Sequence, residues 1–247
     1  METVAIFAVV GFVAQLVDGA LGMAYGLTAS SLLLAYGLSP ALASASVHTA
    51  EVFTTAVSGA SHWRLGNVDR TILIRLAVPG AIGGALGASV LASVSATMIK
   101  PVVSAYLLIM GLVILFKALR PPKPHAIGPG RLRGLAFVGA TLDAIGGGGW
   151  GPIVTSNLVG WGLSPRLAVG TANAAEFFVT IVIAGVLLPE VNGDSWPVIA
   201  GLIIGGVVAA PLAAYGARII PVRALMVLVG LSVTGLSLND LGRAFWS

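Results

Sequence analysis

Charge is the scarcest commodity in this chain. Of its 247 residues only 9% are Asp, Glu, Lys or Arg, against roughly 25% in soluble globular proteins. Thirteen basic and nine acidic side chains spread along the whole length cannot furnish a water-facing surface, which excludes a soluble domain. Cysteine is absent, and with it disulfides, thiolate metal sites and cysteine nucleophiles. No Lys or Arg precedes Arg64, so the first apolar run, Val4–Val17, lacks the basic flank of a cleavable signal. Walker, Gly-x-Ser-x-Gly and His-Glu-x-x-His signatures are missing, which argues against an enzyme and against an ATP-driven pump. The formal charge of +4 reads as an orientation signal in a membrane rather than as affinity for nucleic acid. No cofactor and no resident metal are expected.

Apolar residues make up 57% of the chain, 33 residues are glycine, and the mean hydropathy is +1.00. Apolar runs cover about 3–36, 40–60, 71–93, 98–118, 134–160, 166–188, 197–217 and 222–241. A single crossing needs about 20 residues, so six runs fit one helix each. The first and fifth are too long, and glycines interrupt both. The expectation is an all-α integral membrane protein with the lipid bilayer as its main solvent.

Those two interrupted runs are copies. Asp18-Gly-Ala-Leu-Gly-Met-Ala-Tyr-Gly26 aligns with Asp143-Ala-Ile-Gly-Gly-Gly-Gly-Trp-Gly151 at an offset of 125, and Tyr36-Gly-Leu-Ser-Pro40 aligns with Trp161-Gly-Leu-Ser-Pro165 at the same offset. Glu51 falls on Glu176, and 16 of the 43 positions in 18–60 are identical to 143–185 without a gap. The chain therefore reads as a first repeat (1–120), a basic linker (121–133) and a second repeat (134–247). Lys117, Arg120, Lys123, Arg131 and Arg133 cluster around the linker, which places it in the cytoplasm. Loop 61–70 and turn 218–223 carry arginines, whereas 189–196 carries only Glu190 and Asp194. Counting faces from these loops makes each interrupted run a re-entrant hairpin followed by three crossings, with the second repeat inverted. Eight full crossings with parallel repeats are the rival arrangement.

Backbone left unpaired in hydrocarbon is tolerated only inside protein or beside a watery cavity, and paired breaks in two repeats point to a carrier's site. A half-helix starting at a break offers free N–H groups and a positive dipole end, which suits a small anion. Gly22, Gly26, Gly147, Gly149 and Gly151 with Tyr25 and Trp150 are therefore candidate substrate contacts. His48, Thr49, Thr171 and Asn173 form polar faces on the following helices and join them. Asp18, Asp143, Glu51 and Glu176 are intramembrane acids; capping of the breaks suits the aspartates, and proton coupling and a structural role both stay open for the glutamates. The Gly-Gly pairs at 83–84 and 205–206 read as close helix packing. His62 and His125 read as interfacial or solvated.

The paired Asp-x-x-x-Gly-x-x-(Tyr/Trp)-Gly motifs, each followed by Gly-Leu-Ser-Pro and a glutamate-bearing helix, resemble the TauE/SafE sulfite exporter family over nearly the whole chain. The resemblance implies a multi-pass carrier in the inner membrane of a prokaryote, exporting sulfite, an organosulfonate or a related sulfur-containing anion. An anion channel, a divalent-metal permease built on His48, Glu51 and Glu176, and a non-transporting membrane partner are the alternatives. A homodimer is compatible with the sequence.

Overall fold

The computed structural model describes residues 1–119, 128–216 and 222–246. Arg120, Lys123, His125 and Arg218 lie outside the described residues. Among the described residues ten α-helices follow one another: α1 (Glu2–Leu21), α2 (Tyr25–Ala35), α3 (Pro40–Arg64), α4 (Arg70–Ser93), α5 (Ala96–Leu119), α6 (Pro129–Gly146), α7 (Ser156–Gly160, entered through a π-helical turn at Gly151–Thr155), α8 (Pro165–Leu187), α9 (Trp196–Gly216) and α10 (Val222–Trp246). Five of these segments are long and apolar enough to cross a membrane. The interrupted runs break between α1 and α2 and between α6 and the π-turn.

Local signals explain where helices start. Ser39 caps α3 by accepting the Leu42 N–H at 3.3 Å, with Pro40 at the first helical position. Asp69 caps α4 by accepting from Thr71 and Ile72. Gly37 and Gly162, 125 residues apart, turn the chain into α3 and α8 with φ of +104° and +96°.

The surface is inverted relative to a soluble protein. On α4 the large side chains Ile74, Val78, Ile82, Leu86 and Val90, four residues apart, face outward, while Gly80, Gly83, Gly84, Gly87 and Ala88 face the protein. Buried polar residues concentrate instead on α3, among them Ser44, Ser46, His48, Glu51, Thr54, Thr55 and Ser58. An apolar exterior around a polar centre is the distribution expected in lipid.

Small residues allow the helices to touch backbone to backbone. Gly201 packs on Val4 and Phe7, Gly205 on Ala8, and Gly11 on Leu202, so α1 and α9 run parallel. Gly83 packs on Phe137 and Gly87 on Thr141, so α4 and α6, their counterparts 125 residues away, do the same. By contrast α3 and α8 run antiparallel, with Gly59 on Ala174 and His62 on Gly170. Likewise α5 and α10 run antiparallel, with Gly111 on Thr234 and Leu115 on Gly230. At one end of the bundle the start of α1 meets the end of α2: the Phe7 and Tyr36 rings pack edge-on at 5.7 Å. Asn192, Asp194 and Leu42 line a shallow cavity at that same end together with Thr3 and Tyr36.

Two expectations are corrected here. His62 is not solvated: it closes α3 fully buried, with Nδ1 3.3 Å from the Asn67 amide. The reason is that the turn after α3 folds under Gly170, whose missing side chain makes room for His62 and Asn67. Lys117 is not a solvated linker charge either; it belongs to α5 and its ammonium points into the protein.

These contacts predict a sharp contrast between two glycines. A Cβ at Gly205 would strike the Ala8 carbonyl, whereas Gly235 has open space around it. Gly205→Leu should destabilise by about 1–3 kcal/mol or more, and Gly235→Leu should stay within about 0.5 kcal/mol of the parent. Unfolding midpoints in detergent would measure both.

Candidate substrate site at the paired helix breaks

Each break begins in the same way. Helix α1 ends on Gly22 (φ +64°) and α6 on Gly147 (φ +67°), left-handed conformations that glycine adopts at no steric cost. The amide N–H of each glycine turns back to the carbonyl of the aspartate four residues earlier, Asp18 or Asp143. The two carboxylates then reach across the break to the next half-helix. Asp18 Oδ1 accepts the Tyr25 N–H at 3.4 Å, and Asp143 Oδ1 accepts the Trp150 N–H at 3.0 Å. A helix start leaves four N–H groups without a partner in their own helix; the aspartate takes one and places negative charge at the positive end of the dipole.

The breaks lie against each other in the protein interior. A Cβ at Gly148 would strike the Leu27 amide, one at Gly26 would come within 2.8 Å of the Gly148 Cα, and one at Gly151 would strike the Gly22 carbonyl. Alanine at any of these three positions would push the half-helices apart. The aromatics beside the breaks diverge: Tyr25 donates its hydroxyl to the Leu202 carbonyl on α9 at 3.2 Å, and Trp150 donates its indole N–H to the Ala172 carbonyl on α8 at 3.2 Å. Both rings are buried.

His48 joins α3 to the second break. Its Nδ1 lies 2.8 Å from the Ser44 carbonyl, which can only accept, so this nitrogen carries a hydrogen. Nε2 lies 3.3 Å from Asp143 Oδ2 and 3.9 Å from Glu51 Oε2. That contact needs a proton, held by the imidazole or by the Asp143 carboxyl. Asp143 thus caps the half-helix through one oxygen and shares a proton with His48 through the other. Glu51 Oε1 lies 3.1 Å from where a Gly26 Cβ would stand, and Glu176 is within electrostatic reach of Asp18, Glu51 and Asp143. Two buried polar atoms beside the breaks have no hydrogen-bond partner: Glu51 Oε2, on the side chain that approaches Gly26, and Thr155 Oγ1, next to Gly22. Native proteins leave few such atoms, and each calls for an explanation.

The remaining sequence candidates sit differently. Asn173 donates to Ser58 Oγ across the α3–α8 contact at 2.8 Å. Thr171 accepts the Asp69 N–H at 2.9 Å and so serves the α3–α4 turn. Thr49 donates back to the Ala45 carbonyl of its own helix. Gly149 packs against the Tyr106 hydroxyl.

Four residues that the repeat comparison passed over fasten the second break. Ser30 donates to the Gly147 carbonyl, Ser44 to Ala144, Tyr106 to Gly148 and Lys117 to Pro152. Lys117 also bonds Ser156 Oγ. Comparable fastening of the Gly22, Met23 and Ala24 carbonyls does not occur among the described residues. The first break instead holds Ala24 at φ +125°, the single non-glycine residue with positive φ among the described residues. Such a conformation costs on the order of 1–3 kcal/mol. Glycine stands at the equivalent position 149. Ala24→Gly should therefore raise stability, by about 1 kcal/mol after glycine's own entropic cost, seen as a higher unfolding midpoint; a lower midpoint would refute strain at Ala24.

Comparison with known proteins converges on one family. The sulfite exporter TauE/SafE family matches residues 7–239. A probable membrane transporter protein, YtnM of Bacillus subtilis (strain 168), is 43% identical over 239 residues, spanning 93% of this chain and 80% of the relative. No solved structure matches the chain. A family match that takes in both breaks, both glutamate helices and all but the outermost residues places this chain in the TauE/SafE sulfite exporter family.

Proposed function

We propose that this protein is a secondary carrier that moves a small sulfur-containing anion, such as sulfite or an organosulfonate, out of a prokaryotic cell across the inner membrane by alternating access. The observation that carries the reading is the junction itself: two half-helix starts meet backbone to backbone beside a buried histidine and unpartnered polar atoms. Among the first-turn N–H groups that Asp18 does not take, that of Leu27 lies against Gly148 of the other break, and such groups bind oxyanions. The family supports a sulfur-containing cargo, and YtnM's description supports transport.

The helix directions support inverted repeats. Helices α3 and α8 occupy equivalent places in the two repeats and cross antiparallel, as do α5 and α10. A two-fold axis that relates antiparallel helices lies perpendicular to them, hence in the membrane plane. The Phe7–Tyr36 contact returns the end of α2 to the face where α1 begins, as a re-entrant hairpin does. In this arrangement one repeat rocks against the other around a fixed central site, and the inside-negative potential favours anion export.

Asp18 and Asp143 are held at the helix starts, but charged carboxylates on Glu51 and Glu176 would repel an anion at the junction, so the cargo binds together with protons. Linkage then fixes the sign: binding strengthens as pH falls and weakens as it rises.

Three measurements test this. Proteoliposomes should show saturable sulfite or sulfonate counterflow; currents far above carrier rates would instead indicate a channel. Stabilisation by an alkylsulfonate, ionised throughout, should be larger at about pH 5.5 than at about pH 8; equal shifts would remove the proton link. Because the parent has no cysteine, Leu65→Cys and Asp194→Cys can be labelled cleanly. Labelling from opposite sides fits inverted repeats, and labelling from one side rejects them.

A further inference from the structure

On the lipid-facing side of the parallel α4–α6 pair lies a groove of about 640 Å³. Ile74, Val78, Phe137 and Val138 give it apolar walls, and Arg75 and Arg133 stand in it. Proline and glycine shape it. Pro79 interrupts the α4 ladder, and Gly134 faces open space where a side chain would otherwise fill the groove. Both arginines come early in helices that start at the same end of the bundle, at Arg70 and Pro129. At 1.5 Å per residue that puts them about 6–8 Å along their helices, little more than one turn in from that end of the bundle.

Two guanidinium groups in an apolar groove need a counter-charge, and the protein does not supply one. All nine acidic residues of the chain fall in described segments. Asp18, Glu51, Asp143 and Glu176 are at the paired breaks. Asp69 caps α4, its carboxylate accepting from the Thr71 and Ile72 N–H groups. Glu190 and Asp194 follow α8 at the far end, Glu2 begins α1, and Asp240 has contacts of its own within the chain. No ion pair to Arg75 or Arg133 occurs among the described residues.

We infer that the α4–α6 groove binds an anionic phospholipid, its phosphate between Arg75 and Arg133 and an acyl chain along Ile74, Val78 and Val138. The neutralising charge comes from the bilayer. A guanidinium matches a phosphate bidentately where an ammonium would not. The site has a mechanical connection inward: Gly80, next to Pro79, packs directly on the Trp150 ring beside the second break. It does not rest on the identity of the cargo.

Native mass spectrometry of the purified protein with equal phosphatidylglycerol and phosphatidylcholine tests the proposal. Two arginines near an anionic headgroup predict a preference of about tenfold or more for phosphatidylglycerol. Arg75→Gln with Arg133→Gln should abolish that preference, whereas Arg131→Gln with Arg166→Gln, exposed arginines outside the groove, should keep it. A parent without preference means that the arginines merely reach water, and overturns the site; so does a double variant that retains the parent's preference. Should the double variant not fold, photoactivatable phosphatidylglycerol on the parent decides: crosslinks in 74–82 and 133–138 support the groove, and crosslinks confined elsewhere reject it.

Discussion

A broken helix in a low-dielectric interior survives only if something accepts its exposed N–H groups, and here that acceptor is an aspartate seven residues upstream. Asp18 and Asp143 each end one helix and begin the next. Without that bond each break would leave one more backbone donor unsatisfied away from water, at about 1–3 kcal/mol. The rest of the centre follows from it. The caps hold the two half-helices at a fixed angle, the glycines let them touch, and His48 reads the free oxygen of Asp143. The non-helical links at the junction are only three residues long each, 22–24 and 147–149, and helices flank both.

Much of this was legible in the sequence. Six single-helix runs became α3, α4, α5, α8, α9 and α10 within a few residues of their drawn limits, apart from the C-terminal reach of α3 and α10. Hydropathy fixes those, because lipid demands long apolar stretches. The breaks were legible too, since four consecutive glycines before Trp-Gly-Pro cannot continue a helix. What escaped was whatever the duplication does not share. Tyr106 has leucine 125 residues later, Ser44 has valine and Lys117 has glycine, so comparing the repeats concealed the side chains that fasten the second break. Their signal was of another kind: a tyrosine hydroxyl or an ammonium within an apolar run must find a partner. Thr171 reads as part of a polar face, and its hydroxyl also accepts the Asp69 N–H of the α3–α4 turn.

Duplication has thus produced two breaks with one geometry and two temperaments. The second is tied by side chains from α2, α3 and α5, and its π-turn is bonded to Lys117. The first has its aspartate and a strained alanine. The second break is therefore the more firmly held of the two. Local stability differs along a chain in this way wherever a protein must move.

The glycine contact at the centre has a further consequence, for divergence between relatives. Gly26, Gly148 and Gly151 leave no volume for even a methyl group, so the surface where the half-helices meet has no side chains to exchange. A lineage that changes its cargo cannot do so at the point of closest approach. Change must come from the side chains around it, such as His48 and Thr155, while the backbone cradle stays the same. A scaffold of this kind keeps one backbone geometry at its centre whatever side chains stand around it.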